Sequence, residues 1–331
     1  MTSILVTGLG SLGIAVIRKF ALEGFDVVSY DVASVSPMVS STLKDVESRV
    51  KYVRGDVQDQ YRLIGASKEN KVEGIIHTAA LTGRGSGIDY PTAYFSVNAG
   101  GVLNVLETAR ILGMGRVVFT SSVSLFGSRE EPVKDTDMPG PENFTSFYNV
   151  AKYSGEMLMH AYHNIYGMDT VTCRLHNIYG IGEIKPKAIG TWLWTVLKGE
   201  KIVEPTGADV EDDNSYAGDL ANGMYLLYTS KGLTDPRVYN LSDGRIRRHG
   251  DIVEIVNGIG PGKVVLGPGE GGRWYQPRWL KTGSPPFSDI SRIRNLGFNP
   301  RPIEENLVDY AEWIRSEIKR LGPCAGSRIT Y

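Results

Sequence analysis

The chain has 331 residues, with 36 Lys or Arg against 37 Asp or Glu, so its formal net charge is −1. This balance, with no basic run, argues against nucleic acid as a partner, and no apolar run reaches the length that spans a membrane. The two cysteines, Cys173 and Cys324, lie far apart without metal-ligand spacing. They indicate a reducing compartment, predicted to be the cytoplasm, and neither a disulfide scaffold nor a metal site.

Short apolar strands alternate with helical stretches through the first half of the chain. In chain order we predict strands at 3–7, 25–30, 50–53, 74–79, 116–121 and 169–174, and helices at 11–23, 90–112 and 146–166. The second half is less regular, with helices at 217–229 and 303–319. This alternation is typical of an α/β protein: a doubly wound parallel Rossmann sheet with a smaller mixed C-terminal substrate domain.

The first predicted strand runs into TGLGSLG, where Gly8, Gly10 and Gly13 have the spacing G-x-G-x-x-G. With a strand before it and a helix after it, Gly8 permits a tight turn and Gly10 lets the backbone approach a pyrophosphate. Gly13 lets the helix pack closely on the strand. The backbone amides of Ser11 and Leu12, at the helix N-terminus, are predicted to meet the phosphates.

Two acidic residues follow the next two strands. Asp31 lies 18 residues after Gly13 and is predicted to accept hydrogen bonds from the hydroxyls of an adenosine ribose. A carboxylate there would repel a 2′-phosphate, and no arginine follows it directly, so NAD is favoured over NADP. Asp56, followed by Val57, is placed to meet the adenine amino group. The dinucleotide-binding domain is predicted to cover 1–176 and about 206–232, the substrate domain 177–205 and 233–321, and a tail 322–331.

Tyr148 and Lys152 form a Tyr-x-x-x-Lys pair on a predicted helix, so both side chains can reach one pocket. A free tyrosine has a pKa near ~10 and is a poor base at neutral pH, but a neighbouring ammonium favours the phenolate. The pair can therefore take a proton from a substrate hydroxyl while hydride leaves for NAD. The hydroxyls that close the 116–121 strand would bind the same substrate oxygen.

Taken together, these motifs resemble the extended short-chain dehydrogenase/reductases of the NAD-dependent epimerase/dehydratase family. TGLGSLG, GDV, YNVAK and RLHNIYG are similar to family motifs, as is DISRIRNLGFNP near the end. HTAA resembles the segment after the fourth strand that lines the cofactor, which implies roles for Ala79 and Ala80, and Asn98 matches an Asn in the following helix. The register of FTSSVSLFG places the active hydroxyl on Ser122. The resemblance also implies a homodimer built from the helices 90–112 and 146–166.

The chain departs from the family at three places. The family's 4,6-dehydratases need Asp-Glu directly after the active hydroxyl, and its UDP-glucuronate decarboxylases need a Glu there, but Val123 and Ser124 follow Ser122. An Arg that grips the nucleotide diphosphate usually stands seven residues before a late Asp-Leu, where this chain has Asp212. The glycine loop is one residue shorter than the family's Thr-Gly-x-x-Gly-x-x-Gly, which predicts a tighter turn with the pyrophosphate still on the helix N-terminus.

An acidic residue at position 212 would repel a diphosphate, so the substrate is hypothesised to be a free sugar, a sugar acid or another secondary alcohol. A small loop shift, or a second phosphate-binding Arg at Arg278, would instead keep nucleotide binding. The predicted substrate contacts are Arg84, Ser122, Ser124, Asn177 and Arg278.

The loop at 83–87, which contains Arg84, is predicted to be a mobile lid, with a substrate clamp as the alternative. His176 is predicted to lie beside the nicotinamide. A histidine there could instead titrate or bond the substrate.

Three functions fit these residues. The first is an NAD-dependent epimerase that oxidises a secondary alcohol of a sugar or sugar derivative and returns the hydride. The second is a dehydrogenase that uses the same residues and releases the ketone. The third is a non-catalytic NAD-sensing protein, which is disfavoured because Ser122, Tyr148 and Lys152 are all present.

Overall fold

The computed structural model describes residues 2–82, 84–127, 129, 131–183, 186–205, 207–267 and 287–322, with the backbone alone for 84–86. Among the described residues, no helix is both long and apolar enough to cross a membrane. The strands of this part of the chain are β1 (Ser3–Thr7), β2 (Asp26–Asp31), β3 (Val50–Arg54), β4 (Val72–His77), β5 (Arg116–Ser122), β6 (Asp169–Leu175), β7 (Asn177–Tyr179), β8 (Lys201–Glu204), β9 (Glu211–Asp212), β10 (Asn214–Tyr216), β11 (Val238–Leu241), β12 (Arg247–Arg248) and β13 (Lys263–Leu266).

The α-helices flank these strands and, apart from short 3₁₀ turns and one π-helical turn, account for the other regular structure of the described residues. They are α1 (Ser11–Leu22), α2 (Pro37–Thr42), α3 (Gln60–Glu69), α4 (Arg84–Asp89), α5 (Pro91–Phe95), α6 (Gly101–Ile111), α7 (Phe147–Tyr166), α8 (Ala188–Leu197), α9 (Ala217–Thr229), α10 (His249–Asn257), α11 (Ser291–Arg294) and α12 (Ile303–Leu321). A π-helical turn at Ser96–Gly100 joins α5 to α6.

Seven strands form one parallel sheet in the order β11-β6-β5-β4-β1-β2-β3. One face packs on α1 and α9 through residues such as Phe20 and Met224, and the other on α3, α6 and α7 through Leu63, Leu106 and Met159. Because both faces are covered, the inner strands β1 and β4 are buried and mostly apolar, which is the signal that the sequence carries, whereas the edge strand β3 is only half-buried. The predicted fold class is confirmed.

The second lobe has its own core and three small sheets. Strand pairs β7 with β10, β8 with β13, and β9 with β12 lie beside a core that includes Trp192, Ile252 and Tyr310. The chain crosses between the lobes more than once, since α9 and β11 return to the main sheet after β7 and β8 have left it.

Three differences from the predicted elements concern the helix at 90–112, the loop at 83–87 and the edge of the main sheet. The helix predicted at 90–112 is broken into α5, the π-helical turn and α6. The loop predicted at 83–87 is helical in its backbone from Arg84 onward. A seventh strand, β11, joins the edge of the sheet inside the range 233–321 that the sequence assigned to the substrate domain. With four residues, β11 is too short to stand out from sequence periodicity.

Candidate active site

The predicted motifs meet at the carboxyl edge of the sheet. Thr7 at the end of β1 is paired with His77 at the end of β4, and Ser122 at the end of β5 is paired with Leu175 at the end of β6. The glycine loop, the Thr78–Ala80 stretch, Ser122 and the His176-Asn177 pair therefore leave the sheet side by side. This edge is where ligands bind in open α/β sheets.

The three glycines of the loop have three different surroundings. Gly8 has φ +91°, and a Cβ on it would lie 2.9 Å from the Ala79 nitrogen. A Cβ on Gly13 would lie 1.9 Å from the Gly8 carbonyl oxygen, so the helix packs on the turn itself. A Cβ on Gly10 would meet nothing within 4 Å. The first two are fixed by packing, and Gly10 faces open space.

That open space lies at the N-terminus of α1. Gly10 is the N-cap residue, and no side chain of the described residues caps the helix there. The hydroxyl of Ser11 points away from the first turn and donates to the Ile181 carbonyl oxygen at 3.0 Å. The amides of the first turn, with the positive end of the helix dipole, fit the phosphates of a dinucleotide. Leu12 is buried beneath them.

Asp31 ties the short loop to the end of β2. Its carboxylate accepts hydrogen bonds from the Leu9 amide at 2.6 Å and from the Ala33 amide at 2.7 Å. Each carboxylate oxygen keeps a second lone pair, so the group can still accept from ribose hydroxyls.

Asp56 lies at the corresponding position after β3. Its carboxylate accepts from the Gln58 amide at 2.9 Å, and its carbonyl oxygen accepts from the Tyr30 hydroxyl at 3.0 Å. Val57 is buried and packs against Gly101. Asp31 and Asp56 therefore stand at neighbouring strand ends, as the predicted adenosine site requires.

The π-helical turn places Asn98 against the segment that follows β4. The Asn98 side chain donates to the Leu81 carbonyl oxygen at 2.9 Å and accepts from the Leu81 amide at 2.8 Å. The amide is 1% exposed, so both of its ends are used within the protein. Asn98 thus holds the backbone next to Ala79 and Ala80, a positioning role beside the cofactor contact that the sequence predicts.

Lys152 is buried beside Tyr148 on α7. It is 3% exposed, its Nζ donates to the Thr120 carbonyl oxygen at 2.7 Å, and Nζ lies 5.8 Å from the centroid of the half-buried Tyr148 ring. Burial lowers the pKa of Lys152 from 10.5 to about 7, and the nearby Glu156 carboxylate acts in the opposite direction. Burial, together with the Lys152 charge, lowers the pKa of His77 to about 3. His77 is therefore neutral, and the charge at the strand ends belongs to Lys152.

The predicted active hydroxyl is linked to α7 through two neighbours. The Ser122 hydroxyl donates to the Ser124 oxygen at 2.9 Å, and the Ser124 hydroxyl donates to the Asn149 side-chain oxygen at 2.8 Å. The Asn149 side-chain nitrogen donates back to the Ser124 carbonyl oxygen, also at 2.8 Å. Asn149 directly follows Tyr148, so this chain of hydrogen bonds fixes the strand end against the helix that carries the tyrosine.

The two positions that the sequence singles out for the substrate touch each other. The Asn177 side-chain amide donates to the Asp212 carboxylate. The pKa of Asp212 is raised from 3.8 to about 7, because burial outweighs the hydrogen bond from Asn177, which lowers the pKa, and the nearby Asp213 charge also raises it. Asp212 thus lies just beyond the end of β6, next to the predicted site.

Of three further predicted site residues, the structure describes the side chain of His176 but not those of Arg84 and Arg278. His176 bonds through Nε2 to the Ser288 hydroxyl at 2.8 Å, so it anchors the 287–290 segment. Burial lowers the pKa of His176. The side chain of Arg84 and all of Arg278 lie outside the described residues.

Sequence reasoning missed three residues of this region. Asn149 stands inside the YNVAK motif, Glu156 follows Lys152 by one helical turn, and Arg174 opens the RLHNIYG motif. Glu156 and Arg174 form an ion pair at 2.8 Å in which both side chains are at most 2% exposed. The four-residue spacing from Lys152 to Glu156 is the one signal that pointed to this pair.

Comparison with known proteins identifies the class that this fold and site define. The family model "NAD dependent epimerase/dehydratase family" matches residues 4–242, so the chain belongs to that family. It is therefore an enzyme, and its cofactor is NAD, as the sequence predicts.

Relatives and solved structures agree with this assignment. A UDP-glucose 4-epimerase of Lacticaseibacillus casei is 29% identical over 244 residues, which cover 68% of this chain and 71% of the relative. The fold resembles a UDP-glucose 4-epimerase of Thermotoga maritima solved with UDP-glucose, with a TM-score of 0.80 and 23% identity over 96% of this chain and 100% of that one. A Thermus thermophilus UDP-glucose 4-epimerase solved with NAD gives a TM-score of 0.77 and 22% identity over 95% and 99% of the two chains.

Proposed function

We propose that the protein is an NAD-dependent epimerase of a secondary alcohol in a sugar or sugar derivative. The observation that carries the proposal is the Tyr148–Lys152 pair on α7, held beside the strand end that bears Ser122. NAD, when bound, supplies the group that accepts a hydride and returns it. The open side of Gly10 and the uncapped N-terminus of α1 are where its phosphates fit.

The chain's own residues remove one proton from the substrate hydroxyl and later return it. The ammonium of Lys152 favours the phenolate form of a neighbouring tyrosine, so Tyr148 takes the proton of the substrate hydroxyl as the alcohol becomes a ketone. The Ser122 hydroxyl, turned from Ser124 toward the substrate, donates a hydrogen bond to the same oxygen. When the ketone is reduced on its opposite face, Tyr148 returns the proton to that oxygen, and the configuration at the carbon is inverted.

Tyr148→Phe tests this assignment. We expect the variant to keep NAD and to lose about 10²–10⁴-fold in turnover with any active member of a panel of sugar nucleotides, free sugars and sugar acids. Tyr153→Phe, on the same helix and packed on Phe144, is the matched control and should stay near wild type. Full activity in Tyr148→Phe would remove the proposed role. Stoichiometric release of NADH, without an epimerised product, would favour the dehydrogenase.

The acidic Asp212 supports a substrate that carries no diphosphate at this position. Its neighbours Glu211 and Asp213 add negative charge. Both cations across the strand pair already bond other carboxylates, since Arg247 donates to Asp243 at 2.6 Å and Arg248 to Asp251 at 2.9 Å. A diphosphate placed here would meet like charge. The competing substrate class is the sugar nucleotide, because the relatives reported above are UDP-glucose 4-epimerases.

Calorimetric titration with UDP separates these substrates. At about pH 8, above the Asp212 pKa of about 7, we expect weak binding to the wild type and about tenfold tighter binding to Asp212→Asn, which removes the charge and keeps the shape. Asp209→Asn removes the same charge from a side chain that is 94% exposed and serves as the control. Low-micromolar binding of UDP or UDP-glucose to the wild type would contradict the proposal.

We further propose a homodimer formed through α6 and α7. Both helices expose large apolar side chains: Leu103 at 40% and Ile111 at 51% on α6, and Ile165 at 70% on α7. Leu103→Glu should convert the dimer to a monomer in light scattering, and Leu22→Glu, at an exposed site on α1, should not. A wild-type monomer at micromolar concentration would overturn this assignment.

A further inference from the structure

One face of α7 carries three functional groups at four-residue intervals. Tyr148, Lys152 and Glu156 follow one another by one helical turn each and so lie along the same side of the helix. The first two belong to the proposed proton transfer, and Glu156 has no part in it. Yet Glu156 is 0% exposed. Burying a carboxylate is costly unless an opposite charge and hydrogen bonds compensate it, so its presence beside Lys152 requires an explanation.

Arg174 on β6 supplies that opposite charge. Its Nε donates to Glu156 Oε1 at 3.0 Å and its Nη2 to Oε2 at 2.8 Å, a bidentate pair. Its Nη1 donates to the Asp137 carbonyl oxygen at 3.0 Å, and the guanidinium lies 4.8 Å from the centroid of the Phe126 ring. Arg174 is thus held by three groups, and it fixes the Glu156 carboxylate in one orientation.

Lys152 occupies a site that disfavours its charge. Its ammonium is enclosed by the Phe119 ring, at 5.0 Å from the centroid, and by the Thr120 carbonyl oxygen. Burial lowers the pKa of Lys152 to about 7, and the Glu156 carboxylate opposes that change. His77 on β4 and His160 on α7 also face this cluster, and burial lowers the pKa of each. Neither histidine therefore adds a second positive charge beside Lys152, and Glu156 is the carboxylate that acts on it.

We propose that the Glu156–Arg174 pair is a positioning element of the active site, in which Arg174 fixes the Glu156 carboxylate and that carboxylate favours the charged form of Lys152. The proposal rests on the proposed function, because the charge of Lys152 matters only if Tyr148 transfers the proton. Neither Glu156 nor Arg174 touches the substrate in this scheme. They act through Lys152.

The test is a pH titration of Lys152 itself, which needs no substrate. The ¹³Cε resonance of labelled lysine is followed in the full chain and assigned by its loss in Lys152→Met. In Glu156→Gln we expect the titration midpoint to fall by about one pH unit or more, since a nearby opposite charge is removed. The acid limb of activity should move to higher pH, because a neutral Lys152 no longer favours the Tyr148 phenolate.

Two further variants keep the test decisive. Glu107→Gln removes another carboxylate that pairs with an arginine and contacts α7 through Tyr162, and it should leave the Lys152 midpoint unchanged. If Glu156→Gln does not fold, the double substitution Glu156→Leu with Arg174→Met removes both charges and keeps an apolar core, and it too should lower the midpoint. An unchanged midpoint in the variant that folds overturns the proposal. An active Tyr148→Phe would instead overturn the proposed function and leave the Lys152 shift standing.

Discussion

Gly10 and Gly13 lie three residues apart in the glycine motif, and one added methyl group should lower the stability of the protein at Gly13 but not at Gly10. The Cβ of Gly13→Ala would press on the Gly8 carbonyl oxygen, a backbone atom that cannot move alone. We expect Gly13→Ala to lose about 3 kcal/mol of unfolding free energy in urea titrations. Gly10→Ala has φ −76° and open space, so its stability should stay within about 1 kcal/mol of wild type.

Gly10→Ala should keep the fold but bind NAD more weakly than the wild type. In Gly10→Ala the new methyl group occupies the space where the pyrophosphate fits, so the dissociation constant for NAD should rise about tenfold or more while the fold persists. Calorimetry on the stable variant measures this. Unchanged NAD affinity in Gly10→Ala would mean that the phosphates are held somewhere other than the N-terminus of α1.

Lys152 should leave a signature in the pH dependence of stability. Its folded-state pKa of about 7 lies below its ordinary value of 10.5, so between these pH values the unfolded chain binds more protons. Stability contributed by this group therefore rises with pH across that window, by at most about 1.4 kcal/mol per pH unit. We expect the unfolding free energy of wild type minus that of Lys152→Met to increase from pH 7 to pH 10.

The control for this measurement is Lys263→Met, at an exposed position on β13. Its stability should follow the wild-type curve with no added slope. Parallel curves for wild type and Lys152→Met would show that the Lys152 side chain keeps an ordinary titration in the folded protein.

At the scale of the element, the start of α7 determines where the tyrosine stands. The Ser146 hydroxyl accepts a hydrogen bond from the Asn149 amide at 3.2 Å and so caps the helix turn that carries Tyr148. Ser146→Ala should lower the unfolding free energy by about 1 kcal/mol in urea titrations. Ser146→Asp, which can cap the same amide, should restore most of it, and equal losses in both variants would rule out the cap as the cause.

The strands and helices that the sequence predicts correctly are those whose apolar residues recur at a regular spacing. The motifs at Gly8, Asp31 and Ser122 could be placed together because the carboxyl ends of parallel strands share one edge. The break in the 90–112 helix falls beside Gly100 and Gly101, but apolar residues continue at helical spacing on both sides of that pair, so periodicity alone predicts one unbroken helix. The Glu156–Arg174 and Asn177–Asp212 contacts join residues that are distant in sequence, so only the folded chain reveals them.

At the scale of the whole molecule, the three tryptophans among the described residues lie in one lobe. Trp192, Trp194 and Trp313 belong to the second core or pack against it, and Trp274 and Trp279 lie outside the described residues. The chain passes between the lobes more than once. Asp219 of α9 also connects them, because its carboxylate accepts a hydrogen bond from the Asn306 side chain of α12 at 2.8 Å. We therefore expect tryptophan fluorescence and far-ultraviolet circular dichroism to give one coincident urea transition. A fluorescence change that precedes the loss of NAD binding would show instead that the lobes unfold separately.

The π-helical turn at Ser96–Gly100 has a consequence for how this chain is aligned with others. A π turn holds one residue more than an α-helical turn, so residues before and after it are offset by about 100° around the helix axis. Tyr94 and Asn98 both reach the segment after β4, whereas the exposed Leu103 lies beyond the turn on the outer surface. Against a protein with a regular α-helix here, an alignment drawn without a gap would match buried positions to exposed ones. The mismatch would extend over the whole of α5 or the whole of α6.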